Sequence, residues 1–378
     1  MSLGRVLASG NQGHTARLHV CTNALTTTLE GHTRVVWCVA FSPCGSTVAS
    51  GSVDRSIKLW NASTGTLKTT LRGHTCTVWS IAFSPCGSTI ASGSYDRSIK
   101  LWNASTGVLM TTLEGHSDRV WSVAFSPCGS TIASASYDCS IKLWHTSTGA
   151  LKTTLLGHTK GVMSVAFSPC GSTIASGSFD RSIILWDAGT GAFKTLARTR
   201  NFVRCVAFSP CGSTLASASS DCSISLWDAG TGKLKTRLQG HTATVMSVAF
   251  SPCGFTIASG SKDSSIRLWD AGTGALETTL QGNTAVNSVV FCPVVDRSHA
   301  VSCVRRLSRH LLPDVADVVV SFMFGRVHSG LAREAMSVES ESDHGEEAAA
   351  QADTGEDAST FLADNQVVKR RRTAAVNQ

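Results

Sequence analysis

Ten residues, GSYDRSIKLW at 93–102, recur with small changes at 51–60, 135–144, 177–186, 218–227 and 260–269. Each step is 42 residues, except one of 41 between the fourth and fifth copies. A Gly-His pair keeps the same period at 31–32, 73–74, 115–116, 157–158 and 240–241; Thr199 takes the histidine position in the fifth copy, and 282–283 reads Gly-Asn. A unit this small cannot bury its own faces, so copies of it must stack against one another.

Within one copy the local signals alternate between strand and turn. VWSIAFS (78–84) is short and almost wholly apolar, as expected of a strand buried on both faces. SPCG follows, with Pro at the second and Gly at the fourth position of a type I turn; six of the eight prolines occupy that place. STIASGS reads as a second strand, Asp96 opens a tight turn, SIKLW alternates as a third, and VLMTTL after NASTG is a fourth. Each copy is therefore four short antiparallel strands.

GH…VWSIAFSPCGSTIASGSYDRSIKLWN resembles the WD40 family of β-propellers, and the resemblance covers residues 31–281. Asp187, Asp228 and Asp270 keep the second letter of the Trp-Asp pair, where Asn61, Asn103 and His145 depart from it. The close likeness among copies is similar to repeat arrays of NACHT-type proteins. The resemblance implies an all-β propeller with six complete blades, and the chain ends hold the rest of a seventh. Residues 6–29 align with strands two to four of a copy, and AVNSVVFCP (285–293) with strand one. The expectation is a seven-bladed ring closed by both ends, which removes exposed strand edges. A six-bladed ring with frayed ends is the alternative. The expected domains are a propeller over 1–294, a short helical extension over 295–333 and a disordered acidic tail over 334–378 ending in a basic cluster.

In the resembling family the strand-three Trp, a strand-two Ser or Thr, the Gly-His histidine and the turn Asp form a hydrogen-bonded brace. Here the sets are His32, Ser50, Asp54, Trp60; His74, Ser92, Asp96, Trp102; His116, Ser134, Asp138, Trp144; His158, Ser176, Asp180, Trp186; and His241, Ser259, Asp263, Trp269. The fifth blade has Ser217, Asp221 and Trp227 but Thr199 for histidine. A buried indole N–H needs an acceptor, and each link supplies the next. Five Ser-His-Asp sets that each end on a Trp fit scaffolding rather than five hydrolytic sites. The composite blade carries Asn283, Gly13 and His19 at the corresponding positions and is expected to lack the brace, making it the weak seam.

Other motifs carry no chemistry of their own. GTGK (230–233) lacks the first glycine of a phosphate loop and has Leu234 where Ser or Thr belongs. No C-x-x-C pair occurs among the fourteen cysteines, and Cys44, Cys86, Cys128, Cys170, Cys211 and Cys253 sit singly in equivalent turns, so reduced thiols are expected, with no metal and no cofactor. No run approaches the ~20 apolar residues of a membrane helix.

Against a constant frame, three positions per blade vary on one face. They are Val53, Tyr95, Tyr137, Phe179, Ser220 and Lys262 before the turn Asp; Trp37, Trp79, Trp121, Met163, Arg204 and Met246 at the start of strand one; and Val35, Thr77, Arg119, Gly161, Phe202 and Thr244 two residues earlier. Aromatic and arginine clusters in a ring mouth are the material of binding hot spots. The functional expectation is a non-enzymatic scaffold that holds a peptide on this rim and helps assemble a complex. The plainer alternative is that the Trp residues only line the channel. The opposite face, uniform in SPCGST, gives no reason to expect a specific site.

Charge is unevenly placed. Residues 334–364 hold ten acidic and no basic side chains, leaving 1–333 with 29 basic against 16 acidic, a balance of +13 that favours acidic partners without indicating nucleic acid. Apolar residues at 315, 318, 319, 322 and 323 share one helix face, with Pro313 as its start and Gly325 as its stop. That run loosely resembles the opening of an F-box, which implies a ubiquitin-ligase substrate receptor as the alternative function; the array resemblance implies a ligand-sensing signalling module. Lys369, Arg370, Arg371 and Arg372 form a short nuclear-import pattern, so an intracellular location, cytoplasmic and nuclear, is expected.

Overall fold

The computed structural model describes residues 6–20 and 25–293. Every regular element among them is a strand. The twenty-eight strands form seven antiparallel sheets of four. Six sheets are consecutive in sequence. In the seventh, Val286–Phe291 pairs with Val6–Asn11, followed outward by Ala16–Val20 and Leu25–Leu29. Both chain ends therefore build one blade, as the two sequence remnants anticipate. Innermost strands contact each other in a closed cycle, Val36–Phe41 touching both Val78–Phe83 and Val286–Phe291. The expected helix over 301–325, the acidic tail over 334–378 and the basic cluster Lys369–Arg372 lie outside the described residues.

Burial is graded across each blade. Second strands such as Thr89–Ser94 are buried almost throughout, since their Ala, Ser and Gly side chains let neighbouring sheets approach closely. Fourth strands face solvent, with Leu67, Leu151 and Leu276 exposed. The innermost strand corrects the sequence reading. Val78 and Ile81 are buried, but Trp79, Ser80, Ala82 and Phe83 remain partly open because that strand borders the channel.

Residues from one copy pack with those of the next. Ala49, Ile57, Leu59 and Leu71 of the first blade share a core with Val78, Ile81, Ile90 and Trp102 of the second. Near the channel, serine hydroxyls stitch adjacent inner strands. Backbone N–H groups of Val123, Val165, Val206 and Val289 donate to Ser80, Ser122, Ser164 and Ser247 of the preceding blade at 3.0–3.2 Å. At the closing seam Val39 N–H donates to Ser288 at 3.4 Å, and Asn287 Nδ2 donates to the Val36 carbonyl at 3.0 Å.

One irregularity recurs in every sheet. Val36 pairs with Ser52 but Cys38 pairs with Gly51, leaving Trp37 as an extra residue on the inner strand. The same shift bulges out Trp79, Trp121, Met163, Arg204 and Met246, and it places Asn287 likewise in the composite blade. A bulge re-aims its side chain and leaves it free of ladder constraints.

Candidate functional site

The relays come first because they fix the frame around the mouth. In the five complete sets the Trp-to-Ser, Ser-to-His and His-to-Asp links are all 2.7–2.9 Å. Indole N–H donates to Ser Oγ, Ser O–H donates to His Nε2, and His Nδ1–H donates to the carboxylate; this is the tautomer that satisfies every member. The second Asp oxygen accepts the backbone N–H and hydroxyl of the Ser two residues on, as Asp96 does from Ser98 at 3.0 and 2.6 Å. Burial alone would raise the Asp96 carboxyl. Hydrogen bonds from His74, Ser98 and Thr75 outweigh it and hold the group well below the usual carboxylate range. The relay serines Ser50, Ser92, Ser134, Ser176 and Ser259 are 0% exposed, so their hydroxyls cannot reach a substrate. Gly31 adopts φ 149°, and a Cβ there would meet the Trp60 ring edge at 3.2 Å, which explains why glycine precedes the relay histidine.

Two blades differ. In the fifth, Trp227 still donates to Ser217 at 2.8 Å and Ser223 to Asp221 at 2.6 Å, but Thr199 turns to the carbonyls of Arg181 and Asn201. With no imidazole covering it, Trp227 is 8% exposed against 1–2% for the other five relay tryptophans. The composite blade is less bare than expected. His19 occupies the Trp position, and its Nε2 lies 2.9 Å from Ser9 Oγ, preserving the innermost link. Burial, reinforced by the nearby Arg17 charge, lowers His19 to about 4. Asn283 and Gly13 supply neither relay partner; Asn11 instead organises that turn, its Oδ1 accepting from Gly13 N and Thr15 Oγ1 at 2.9 and 3.2 Å.

The bulge residues meet at one mouth of the channel. Trp37 and Trp79 have ring centroids 4.2 Å apart, and Trp79 stacks on Trp121 at 4.9 Å and 10°. The series continues edge-on from Trp121 to Phe179 at 5.5 Å and from Phe179 to Phe202 at 5.0 Å. Arg119 lies over Tyr95 and Tyr137 at 4.2 and 4.8 Å from the ring centres, and Arg204 over Phe179 at 5.4 Å. Nine of the eighteen face positions picked from the sequence, Trp37, Trp79, Tyr95, Arg119, Trp121, Tyr137, Phe179, Phe202 and Arg204, thus form one arc through neighbouring blades. Met163 and Met246 share the bulge register, buried and half-buried respectively, without joining the aromatic series. Lys262 is exposed beside Arg204.

Electrostatics divide this arc. Arg119 is paired with Asp118 at 3.4 Å, whereas Arg204 donates from Nε to Ser220 at 2.9 Å and has no carboxylate partner among the described residues. Partial enclosure by the rim and repulsion from Arg204 lower the Lys262 ammonium below its usual range. The indole N–H groups of Trp79 and Trp121 are buried without an acceptor, unlike every relay indole. Sequence reasoning missed Asn287, Asp118 and the bulge itself; aligning VNS (286–288) with VWS (78–80) points to Asn287.

The opposite mouth, uniform in sequence, is also concave. It opens into a cavity of about 580 Å³ ringed by Phe83, Phe125, Phe167, Phe208, Phe250 and Phe291, with the turn prolines at its rim. Outside it, Cys44, Cys86, Cys128, Cys170 and Cys211 are free thiols, all exposed. Flanking serine hydroxyls, Ser84 at 3.3 Å and Ser88 at 3.0 Å for Cys86, lower these thiols to about 7. Among the described residues no cluster of three metal-ligating side chains occurs, and no helix is long and apolar enough to cross a membrane.

A model of the WD domain, G-beta repeat family (WD40) matches residues 23–61, 65–103, 107–145, 149–187, 193–228 and 232–270. Each match starts at or just before the outermost strand of one blade and ends on the third strand of the next, so it bridges two blades. Protein Mut11 of Chlamydomonas reinhardtii is 56% identical over 45 residues, covering 12% of this chain and 11% of that protein. Vegetative incompatibility protein HET-E-1 of Podospora anserina is 56% identical over 43 residues, covering 11% of this chain and 3% of that protein. The chain thus spans only a small part of the length of either relative.

Proposed function

The chain belongs to the WD40 family, and on that premise we propose that it is a non-enzymatic scaffold whose aromatic mouth holds a peptide with an acidic anchor. The observation that carries this reading is the pair of buried indole N–H groups without acceptors, on Trp79 and Trp121, in the same arc as the carboxylate-free Arg204. A buried donor left unpaired costs about 1–3 kcal/mol. A ligand carboxylate or carbonyl that draws either indole out of its stack would relieve that cost while its carbon skeleton lies against the remaining rings. The positive balance of residues 1–333 steers an acidic segment toward it.

A peptide array probed with the full chain tests this. Peptides bearing Asp or Glu flanked by apolar residues are retained, and retention falls with added salt. The variant Trp79→Ala/Trp121→Ala/Arg204→Ala loses at least a hundredfold in affinity, since truncating one hot-spot residue costs roughly 2 kcal/mol or more. Undiminished retention by that variant refutes the site. A second reading, the sensing module of a larger signalling protein, draws on the near-identity of the copies and the similarity to HET-E-1.

A further inference from the structure

The face away from the aromatic mouth repeats one chemical arrangement in five blades. Cys44, Cys86, Cys128, Cys170 and Cys211 are exposed, each at the apex of a Ser-Pro-Cys-Gly turn. The turn beneath is pinned: Gly87 N–H donates to the Ser84 carbonyl at 2.8 Å, with Gly87 at φ 75°. Neighbouring turns abut, since a Cβ on Gly87, Gly129, Gly171 or Gly212 would lie 3.3–3.4 Å from the turn proline of the preceding blade. The thiols therefore stand on one continuous collar.

Hydrogen-bond geometry sets where the serine protons point. Ser84 is buried and its Oγ accepts Thr89 N–H at 3.0 Å, so its own proton is left for Cys86 Sγ, 3.3 Å away. The other four blades repeat this, with Thr N–H to Ser at 3.0 Å and Ser to sulfur at 3.2–3.4 Å. A second hydroxyl, on Ser46, Ser88, Ser130, Ser172 or Ser213, lies 3.0–3.1 Å from each sulfur. Donors on the sulfur favour its thiolate. Among the described residues lysines also reach the first and fifth of these turns, Lys68 bonding Thr47 at 2.7 Å and Lys235 the Ser213 carbonyl at 3.3 Å. Thiol–disulfide exchange runs fastest when the attacking thiol titrates near the ambient pH, as Cys86 does at about 7. No second cysteine shares the turn, so an adduct is not displaced from within it.

We propose that these five turn cysteines are sites of reversible mixed-disulfide formation with low-molecular-weight disulfides. The thiolate lone pair attacks one sulfur of the small disulfide and forms the new S–S bond. The old S–S bond breaks, its electron pair leaves on the departing sulfur, and the proton shed by the cysteine ends there as a thiol. The cysteine is oxidised and the departing half is reduced.

Full-length protein, reduced and freed of reductant, is incubated with glutathione disulfide at pH 7, and peptide mapping by mass spectrometry follows each site. Cys86 and Cys128 are expected to gain one glutathionyl group about fourfold faster than in the urea-unfolded chain. They should also outpace half-buried Cys253, whose turn has Phe255 in place of the second serine. Dithiothreitol should remove every adduct. Ser88→Ala deletes an exposed hydroxyl and leaves the backbone bonds of the turn alone. It should move the midpoint of the rate–pH curve at Cys86 upward, while Cys128 of the same molecule keeps its own. Rates equal to those of the unfolded chain, protein disulfides in place of adducts, or an unmoved Cys86 midpoint in Ser88→Ala would each overturn the proposal.

Discussion

Relay and bulge positions lie close together in every blade and behave oppositely. Five blades repeat the same His, Ser, Asp and Trp within 0.2 Å of one geometry. The bulge residue, meanwhile, runs from Trp through Met and Arg to Asn. The relay is buried and fully paired, so any replacement strands a donor or acceptor. The bulge sits outside the strand pairing at the channel mouth, where a new side chain leaves the ladder intact, although Trp121 and Met163 are themselves buried. Uniformity therefore follows from obligatory polar pairing, and diversity from freedom from the ladder.

Cutting the relay at its central hydroxyl sharpens the contrast most. Ser92→Ala leaves Trp102 N–H and His74 Nε2 unpaired and should lower stability by about 2–4 kcal/mol. Ser217→Ala in the fifth blade strands only Trp227 N–H and should lose about 1–2 kcal/mol. Denaturant titration of the two variants compares them; equal losses would show that the histidine link adds nothing.

Acid separates the blades next. His19 binds its proton less readily folded, at about 4, than unfolded, so its contribution is complete above pH ~6.5 and is lost as pH falls toward 4. His241, lowered by burial against the pull of Asp263, works in the same direction. The relay carboxylates are depressed instead; Asp263, where burial is outweighed by hydrogen bonds from Ser265 and His241, titrates at about 2, and its contribution persists until the pH falls below ~4. His19→Gln should therefore flatten the melting profile between pH 6.5 and 4.5, by about 1–2 kcal/mol at the lower end. It should leave the steeper loss below pH 4 intact. A profile unchanged by this substitution would remove His19 as the acid-sensitive element of the seam.

The smallest effect concerns the turn cysteines. At pH 7 iodoacetamide should modify Cys86, Cys128 and Cys170 several-fold faster than an ordinary exposed cysteine, because their thiols titrate near 7. Cys38, whose thiol burial pushes up, should resist. Peptide mapping by mass spectrometry reads both, and melting should not move.

Period and turn chemistry were enough to place the strands, because SPCG, the turn Asp and the Gly-His pair punctuate every copy. Closure was legible because residues 6–29 and 285–293 are complementary fragments of one unit. The bulge was not, since it is a one-residue offset between two strands that neither strand shows alone. The apolar cavity was hidden because Phe83 and its equivalents read as core when the channel beside them is ignored. His19 looked like a missing Trp; only geometry shows that its ring reaches Ser9.

The division between frame and mouth is tested most directly by making one substitution at two tryptophans. Trp79→Met copies what the chain already uses at Met163 and Met246, whereas Trp102→Met removes a relay donor. Thermal melting and peptide retention are measured on both. The prediction is that Trp79→Met melts within about 3 °C of the parent but binds at least tenfold more weakly. Trp102→Met should lose roughly 3 kcal/mol of stability and, below its melting point, still retain the peptide. A Trp79→Met protein that melts as early as Trp102→Met yet still retains the peptide would contradict the division.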